Sequence, residues 1–111
     1  MAQAMEITAA EVKRRQDAGE ALHLIDVREV KEHQTSNIAG AELIPMNTVP
    51  QRLQYLETLA DGAPVVVFCH HGMRSLNVVS WLRQQGVANC VSMSGGIEAW
   101  SLSIDPSVPR Y

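Results

Sequence analysis

The sequence predicts a three-layer α/β domain, in which a central, mostly parallel sheet is flanked by helices. Apolar segments with strand patterns alternate along the chain with segments of helical periodicity. Strands joined through helices lie parallel, because a right-handed crossover returns the chain to the same end of the sheet. The length of 111 residues, of which 46% are hydrophobic, is that of one compact domain.

We therefore expect a single domain over residues 1–111, with its core between about residues 6 and 102 and a C-terminal tail over residues 103–111. Nine Lys and Arg against twelve Asp and Glu give a net charge of −3. This balance indicates no basic surface for nucleic acid or for a membrane. The longest apolar run, from Val65 to Cys69, is far shorter than the ~20 residues that span a bilayer.

The N-terminal residues Met1 to Glu6 lack the basic region and apolar stretch of a secretory signal, so we expect a cytoplasmic protein. The two cysteines, Cys69 and Cys90, are too few for a disulfide framework. Reduced thiols are the expectation for such a chain in a reducing compartment.

A capping box marks the first helix. Thr8 can accept a hydrogen bond from the amide of Glu11, whose carboxylate can reach back to the Thr8 amide. We expect this helix to run to about Gln16, and Gly19 is typical of a helix end. Three shorter predicted elements follow: a buried strand within residues 21–27, one or two helical turns over residues 29–33, and a short strand over residues 41–44.

The second half of the chain alternates more regularly. Thr48 and Gln51 have the spacing of a second capping box, with Pro50 in the first turn, and predict a helix. Val65 to Phe68 is a run of β-branched and aromatic residues, typical of a strand covered on both faces. The other predicted elements are a helix over residues 75–85, a strand over residues 87–93 and a short helix over residues 97–102.

The main candidate functional residue is Cys69, which ends the most buried strand. Ligands of open α/β sheets bind at the carboxyl ends of the strands. A tight loop and a helix follow Cys69, and the amides and dipole of a helix N-terminus favour an anion. A free cysteine has a pKa of about 8.5, and a helix N-terminus with a nearby cation lowers it. We therefore expect a nucleophilic thiolate, although a cysteine at the end of an apolar strand is often only a core residue.

The loop after Cys69 supplies the other candidate binding residues. Arg74 is a permanent cation, two histidines add charge near neutral pH, and Gly72 permits a strained backbone conformation. A metal site is not expected, because adjacent Cys and His residues fit no common zinc spacing. The candidate loop comprises His70, His71, Gly72, Met73, Arg74 and Ser75.

This loop resembles the active-site loop of the rhodanese-like sulfurtransferases, in the form Cys-x-x-Gly-x-Arg-Ser. Four similar segments occur in order between residues 24 and 100, which makes the resemblance specific. It implies a rhodanese-like fold. Besides the cysteine loop, the similar segments are Leu24 to Arg28, Ile38 to Ala41 followed by Ile44-Pro45, and Gly95-Gly96-Ile97 with Trp100 three residues on.

The resemblance implies that Cys69 takes a sulfane sulfur from a thiosulfate-like donor or a protein persulfide. Cys69 would hold it as a persulfide and pass it to a thiol or cyanide. The loop amides would stabilise the negative charge, and Arg74 and Ser75 would orient the loop or the donor. No cofactor is implied. Residues 105–111 resemble the ends of rhodanese-like domains fused to cofactor-biosynthesis proteins, which points to a protein partner in a sulfur relay.

The sequence departs from the family pattern at Glu32-His33 and at Ser36-Asn37. We expect both departures to lie in a connection remote from the cysteine loop. The loop also holds only one fixed cation, Arg74, so thiosulfate is expected to be a poor donor.

Two other functions are alternatives to sulfur transfer for this sequence. Cysteine phosphatases have five residues between Cys and Arg, whereas four separate Cys69 from Arg74, and the tighter loop suits a sulfur atom better. Some rhodanese-like domains lack a working cysteine and serve as binding or regulatory modules, but here Cys69 is present and its loop is intact. Asp26 and Arg28, at the end of a predicted strand, are expected to support the loop, and Cys90 is expected to be a core thiol.

Overall fold

The computed structural model describes residues 4–111, and in this part of the chain five strands form one sheet. All the strand pairs are parallel. The strands are β1 (Glu6–Thr8), β2 (His23–Asp26), β3 (Glu42–Leu43), β4 (Val65–Phe68) and β5 (Cys90–Ser94). Their order across the sheet is β1-β5-β4-β2-β3, which places β4 at the centre.

Helices connect these strands. The helices are α1 (Ala9–Asp17), α2 (Val30–Thr35), α3 (Leu53–Gly62), α4 (Met73–Gln84) and α5 (Gly96–Ser103), and a 3-10 helix (Met46–Arg52) precedes α3. The predicted α/β architecture with a central parallel sheet is confirmed. Within residues 4–111 no helix is both long and apolar enough to cross a bilayer.

The central strand β4 supplies side chains to the hydrophobic clusters on both faces of the sheet. Val65 and Val67 belong to a cluster with residues of α3 and α4, whereas Val66 and Phe68 belong to a cluster with residues of α1 and α5. This alternation follows from the two-residue period of a strand. The unbroken apolar run of β4 is therefore explained by burial on both sides.

Three local features differ from the sequence prediction. β1 is an additional strand, whose three residues include only one buried side chain, Ile7, too short a pattern to recognise. The second capping box is absent, because the Thr48 hydroxyl donates to the carbonyl of Pro45 and the helical turns begin at Met46. At the first capping box, Thr8 accepts from the amide of Glu11 at 3.0 Å, whereas the Glu11 carboxylate binds Arg14.

The C-terminal strap, which we define as residues 104–111, packs back onto the domain. Val108 is buried in the cluster that contains Trp100. The hydroxyl of Ser101 donates to the carbonyl of Val108 at 2.6 Å, and that of Ser36 donates to the carbonyl of Pro109 at 2.6 Å. The predicted tail is thus an ordered part of the fold, next to α2 and α5.

Candidate active site

The sulfur of Cys69 lies at the carboxyl end of β4, inside a turn of backbone amides. Of the six amides from His70 to Ser75, that of Gly72 donates to the sulfur at 3.1 Å and that of Ser75 at 3.4 Å. The Ser75 hydroxyl lies 3.4 Å from the same sulfur. These donors are already placed at the start of α4 to stabilise a negative charge on the sulfur.

Gly72 allows the loop to close this tightly. Its φ of +110° lies in a region that residues with a Cβ rarely adopt, and α4 begins at the next residue, Met73. A Cβ at Gly72 would also lie 3.2 Å from the amide nitrogen of Gly95. The helix therefore starts two residues before the predicted position, and its N-terminal amides reach the sulfur.

Ser92, on the neighbouring strand β5, extends the hydrogen-bond network. Its hydroxyl lies 2.7 Å from the Ser75 hydroxyl, and both side chains are buried. The single Ser75 proton can go to the Gly72 carbonyl, 3.2 Å away, or to the sulfur of Cys69. With a thiolate at Cys69, Ser75 can donate to the sulfur while Ser92 donates to Ser75. Sequence reasoning missed Ser92, although a serine inside a buried strand was a usable signal.

The N-terminus of α5 holds the other side of the loop. The amide of Ile97 donates to the carbonyl of Cys69 at 2.9 Å, and that of Glu98 donates to the carbonyl of His70 at 3.1 Å. Gly96 makes this approach possible, since a Cβ there would lie 2.4 Å from both carbonyl oxygens. The Gly95-Gly96 segment noted in the sequence thus supports the cysteine loop directly.

Arg74 does not face the sulfur with a free charge. Its guanidinium binds both carboxylate oxygens of Glu32 in α2, at 2.8 and 2.9 Å. This contact holds the pKa of Glu32 well below its usual range and raises the pKa of Arg74. The prediction that Glu32 lies in a connection remote from the loop is wrong, because α2 folds back over the end of β2.

Asp26 and Arg28 form a fully buried pair behind the loop. The Nε of Arg28 donates to one carboxylate oxygen of Asp26 at 2.9 Å, and a terminal nitrogen donates to the other at 2.7 Å. His33 also contacts Asp26, with 2.9 Å between its Nδ1 and the carboxylate. Buried charges must be paired, and here each one is. Because His33 belongs to α2, the Asp26–Arg28 pair also connects β2 with α2.

The loop histidines form a ring stack with the strap. The rings of His70 and His71 lie 3.9 Å apart, and the Tyr111 ring lies 3.9 Å from His70 on the other side. Burial, followed by the charge of His71, lowers the pKa of His70. Met73 is 71% exposed and lies on the outside of the loop. Within residues 4–111 no group of three or more His, Cys, Asp or Glu side chains is placed to hold a metal ion.

A family model of the rhodanese-like domain matches residues 8–103. The chain belongs to the rhodanese-like family. The putative sulfurtransferase YtwF from Bacillus subtilis is 39% identical over 101 residues, which cover 91% of this chain and 94% of YtwF. The crystal structure of a rhodanese-like domain protein from Staphylococcus aureus matches with a TM-score of 0.76 and 31% identity, over 86% of this chain and 89% of that one.

The maize adenylyltransferase and sulfurtransferase MOCS3-2 is 35% identical over 109 residues. These cover 95% of this rhodanese-like chain but only 23% of the maize protein, so the chain spans about a quarter of that relative. The names of these relatives support sulfur transfer in general as the activity of the family.

Cys69 is expected to be alkylated at least about tenfold faster than Cys90 at pH 7. Both thiols are 1% exposed, so accessibility does not separate them. Two amides donate to the sulfur of Cys69, whereas burial raises the pKa of Cys90, whose thiol donates to the carbonyl of Val87. Peptide mapping after timed iodoacetamide treatment measures both rates in one sample. Equal rates would contradict the expectation.

Glu32→Gln is expected to lower the free energy of unfolding by about 1–2 kcal/mol at pH 7, and by less at pH 3. The Glu32 pKa is lowered in the folded state, so the ion pair with Arg74 stabilises the protein above the unfolded pKa of about 4.3. That stability is lost as the pH falls further. Urea unfolding at both pH values checks this.

The matched control for that measurement is Glu42→Gln, which removes a more exposed pair with Arg52. Its effect at pH 7 is expected to be under about 1 kcal/mol. If Glu32→Gln destabilises the protein equally at pH 3 and pH 7, the ion pair is not the source of the loss.

Proposed function

We propose that this chain is a sulfurtransferase that carries a sulfane sulfur as a persulfide on Cys69. The observation that carries the proposal is the position of the Cys69 sulfur, which accepts hydrogen bonds from the amides of Gly72 and Ser75 at the start of α4. A core thiol needs no such donors. Loop amides that stabilise a thiolate also stabilise the terminal sulfur of a persulfide, because both carry one negative charge.

The first step transfers sulfur to the enzyme. The Cys69 thiolate attacks the outer sulfur of a donor of the form X–S⁻, a new S–S bond forms, and the X–S bond breaks. With thiosulfate as donor the leaving group is sulfite, which departs with the electron pair of the broken bond. The enzyme keeps a persulfide anion, so atoms and charges balance.

The second step returns the thiolate. A thiolate acceptor attacks the terminal sulfur of the persulfide, the S–S bond within the enzyme breaks, and Cys69 leaves as the thiolate. The acceptor becomes a persulfide, and with cyanide the product is thiocyanate. Ser92 can donate to the Ser75 hydroxyl at 2.7 Å while Ser75 donates to the sulfur, so both serines stabilise the thiolate and the persulfide anion of Cys69.

Arg74 acts in this proposal as a positioning residue. The carboxylate of Glu32 compensates the charge of the guanidinium, which stays protonated, so its main role is to hold the start of α4 in place. Asp26 and Arg28 brace the same region from β2. His70, His71 and Met73 then form the outer part of the substrate-binding loop, which adds only titratable charge for an anionic donor.

The donor in this proposal is thiosulfate-like or a protein persulfide, and the acceptor is a thiol, cyanide or a protein of a sulfur relay. The relatives that combine adenylyltransferase and sulfurtransferase in their names support a relay partner. Two unpaired cysteines support a reducing, cytoplasmic setting.

Intact mass measurement after exposure to sulfur donors tests the proposal. Thiosulfate, mercaptopyruvate with a sulfurtransferase that uses it, and a cysteine desulfurase charged with cysteine are tried in turn. A gain of about 32 Da, the mass of one sulfur atom, that is lost on addition of a thiol supports the proposal. No gain with any donor overturns it and leaves a binding module. Hydrolysis of p-nitrophenyl phosphate that depends on Cys69 would instead favour a phosphatase.

A further inference from the structure

Tyr111, in the C-terminal strap, contacts the start of the cysteine loop directly and reaches its end through Glu32. On one side its ring stacks on His70, the residue after Cys69, at 3.9 Å and an interplanar angle of 11°. On the other side its hydroxyl donates to Glu32 at 2.7 Å, and the same carboxylate oxygen binds Arg74 at 2.9 Å. One side chain therefore connects the beginning of the loop with the first turn of α4.

The hydroxyl of Tyr111 is also anchored to the rigid interior. It accepts a hydrogen bond from Arg28 at 2.9 Å, and Arg28 is fully buried and paired with Asp26. The Tyr111 hydroxyl thus uses its proton toward Glu32 and its lone pair toward Arg28. This double role fixes the direction of the ring, because a phenol has little freedom once its oxygen is held.

The strap reaches this position by contacts that do not involve Tyr111. Val108 is buried, the Ser101 hydroxyl donates to the carbonyl of Val108, and Arg110 binds Glu98 with two hydrogen bonds of 3.0 Å. The strap should therefore stay docked when only the Tyr111 side chain is changed. This separation makes the contribution of Tyr111 measurable on its own.

We propose that Tyr111 is a positioning residue for sulfur transfer. It binds His70 and the Glu32–Arg74 pair at the same time, and it thereby holds the amides of the cysteine loop at hydrogen-bonding distance from the sulfur of Cys69. The expected effect on sulfur transfer rests on the proposed function, whereas the expected effect on the position of the loop rests only on the contacts of Tyr111. Small displacements of donors that stabilise charge are costly to a reaction, since hydrogen bonds weaken steeply with distance and angle.

Two substitutions separate the contributions of the ring and the hydroxyl. Tyr111→Phe keeps the stack on His70 and loses the bridge from Arg28 to Glu32, whereas Tyr111→Leu loses both. We expect sulfur transfer to fall a few-fold in the first and about tenfold in the second. Ser101→Ala is the matched control, because it removes one anchor of the strap, while the burial of Val108 and the Arg110–Glu98 pair should keep Tyr111 in place.

Two readouts need no sulfur donor. The first is the titration of His70 by NMR, which reports the ring stack; the charged and titratable groups that act on His70 are His71, Glu32, Glu98 and Arg28. Tyr111→Leu should move this titration to higher pH, because the ring is less buried, whereas Tyr111→Phe should leave it in place. The second is the rate of Cys69 alkylation at pH 7, which should fall in Tyr111→Leu, because misplaced amides stabilise the negative charge on sulfur less.

The proposal is overturned if Tyr111→Leu, at a temperature well below its melting point, keeps the wild-type His70 titration and the wild-type rate of Cys69 alkylation. It is also overturned if Ser101→Ala shifts both as strongly. Should Tyr111→Leu fail to fold, Tyr111→Phe decides, since unchanged transfer rates in that variant rule out the hydroxyl bridge. If the wild-type protein forms no persulfide, the proposed function fails, while the two donor-free readouts still decide the positioning role.

Discussion

Cys69→Ser is expected to abolish persulfide formation and to reduce sulfur transfer at least about a thousandfold. The hydroxyl that replaces the thiol is a far weaker nucleophile at neutral pH and cannot carry a sulfane sulfur. The fold should persist, because serine is close in size to cysteine and the amides of Gly72 and Ser75 can donate to its oxygen. Intact mass and a sulfite-release assay with thiosulfate measure the loss.

The internal control for this experiment is Cys90→Ser. Cys90 is equally buried but lies at the start of β5, with its thiol directed to the carbonyl of Val87. We expect this variant to keep the gain of about 32 Da, since a single thiol carries the sulfur. If the persulfide disappears in Cys90→Ser and survives in Cys69→Ser, then Cys90 carries the sulfur, and the proposed role of Cys69 is contradicted.

Gly96→Ala is expected to destabilise the protein by about 3 kcal/mol or more and to reduce sulfur transfer about a hundredfold. Its φ of +59° strains any residue with a Cβ, and the added methyl would lie 2.4 Å from the carbonyl oxygens of Cys69 and His70. The loop must therefore move away from α5. Thermal melts and transfer rates, both measured where the variant is folded, check the two effects.

The control for Gly96→Ala is Gly19→Ala. Gly19 also has a positive φ, +78°, but a Cβ there would meet nothing within 4 Å. This variant should lose only the cost of backbone strain, about 1–2 kcal/mol, and keep its activity. If the two variants lose transfer activity equally, the approach of α5 to the cysteine loop has no catalytic importance.

The elements of this fold that depend on local pattern were predictable. β4 was predicted with its observed bounds, Val65 to Phe68, because four successive buried apolar residues give an unambiguous signal. The position of Cys69 at the end of β4 and the loop with Gly72 followed from the same stretch of sequence. By contrast, β1 and the 3-10 helix at Met46 were missed, since the pairing of β1 with β5 and the bond from Thr48 to Pro45 carry no periodic pattern.

The partners of the loop were less predictable than the loop itself. The sequence predicts Arg74 as a permanent cation of the loop, but it does not predict its partner Glu32, 42 residues earlier in the chain. Tyr111 reaches Glu32 across 79 residues. Single-sequence patterns report the local preferences of the backbone, and they contain no information on which of several exposed carboxylates a given arginine will meet.

The amino-acid sequence alone predicts the α/β architecture, the candidate nucleophile Cys69 and a loop whose amides lie at a helix N-terminus. These follow from residue types at fixed spacing, because burial, glycine conformation and helix initiation are local properties. The folded structure was needed to show that Glu32 compensates the charge of Arg74, that Gly96 brings α5 against the loop, and that Tyr111 links His70 to the Glu32–Arg74 pair. Ion pairs and close backbone contacts depend on distances between segments that the chain brings together only when it folds, so local patterns do not predict them.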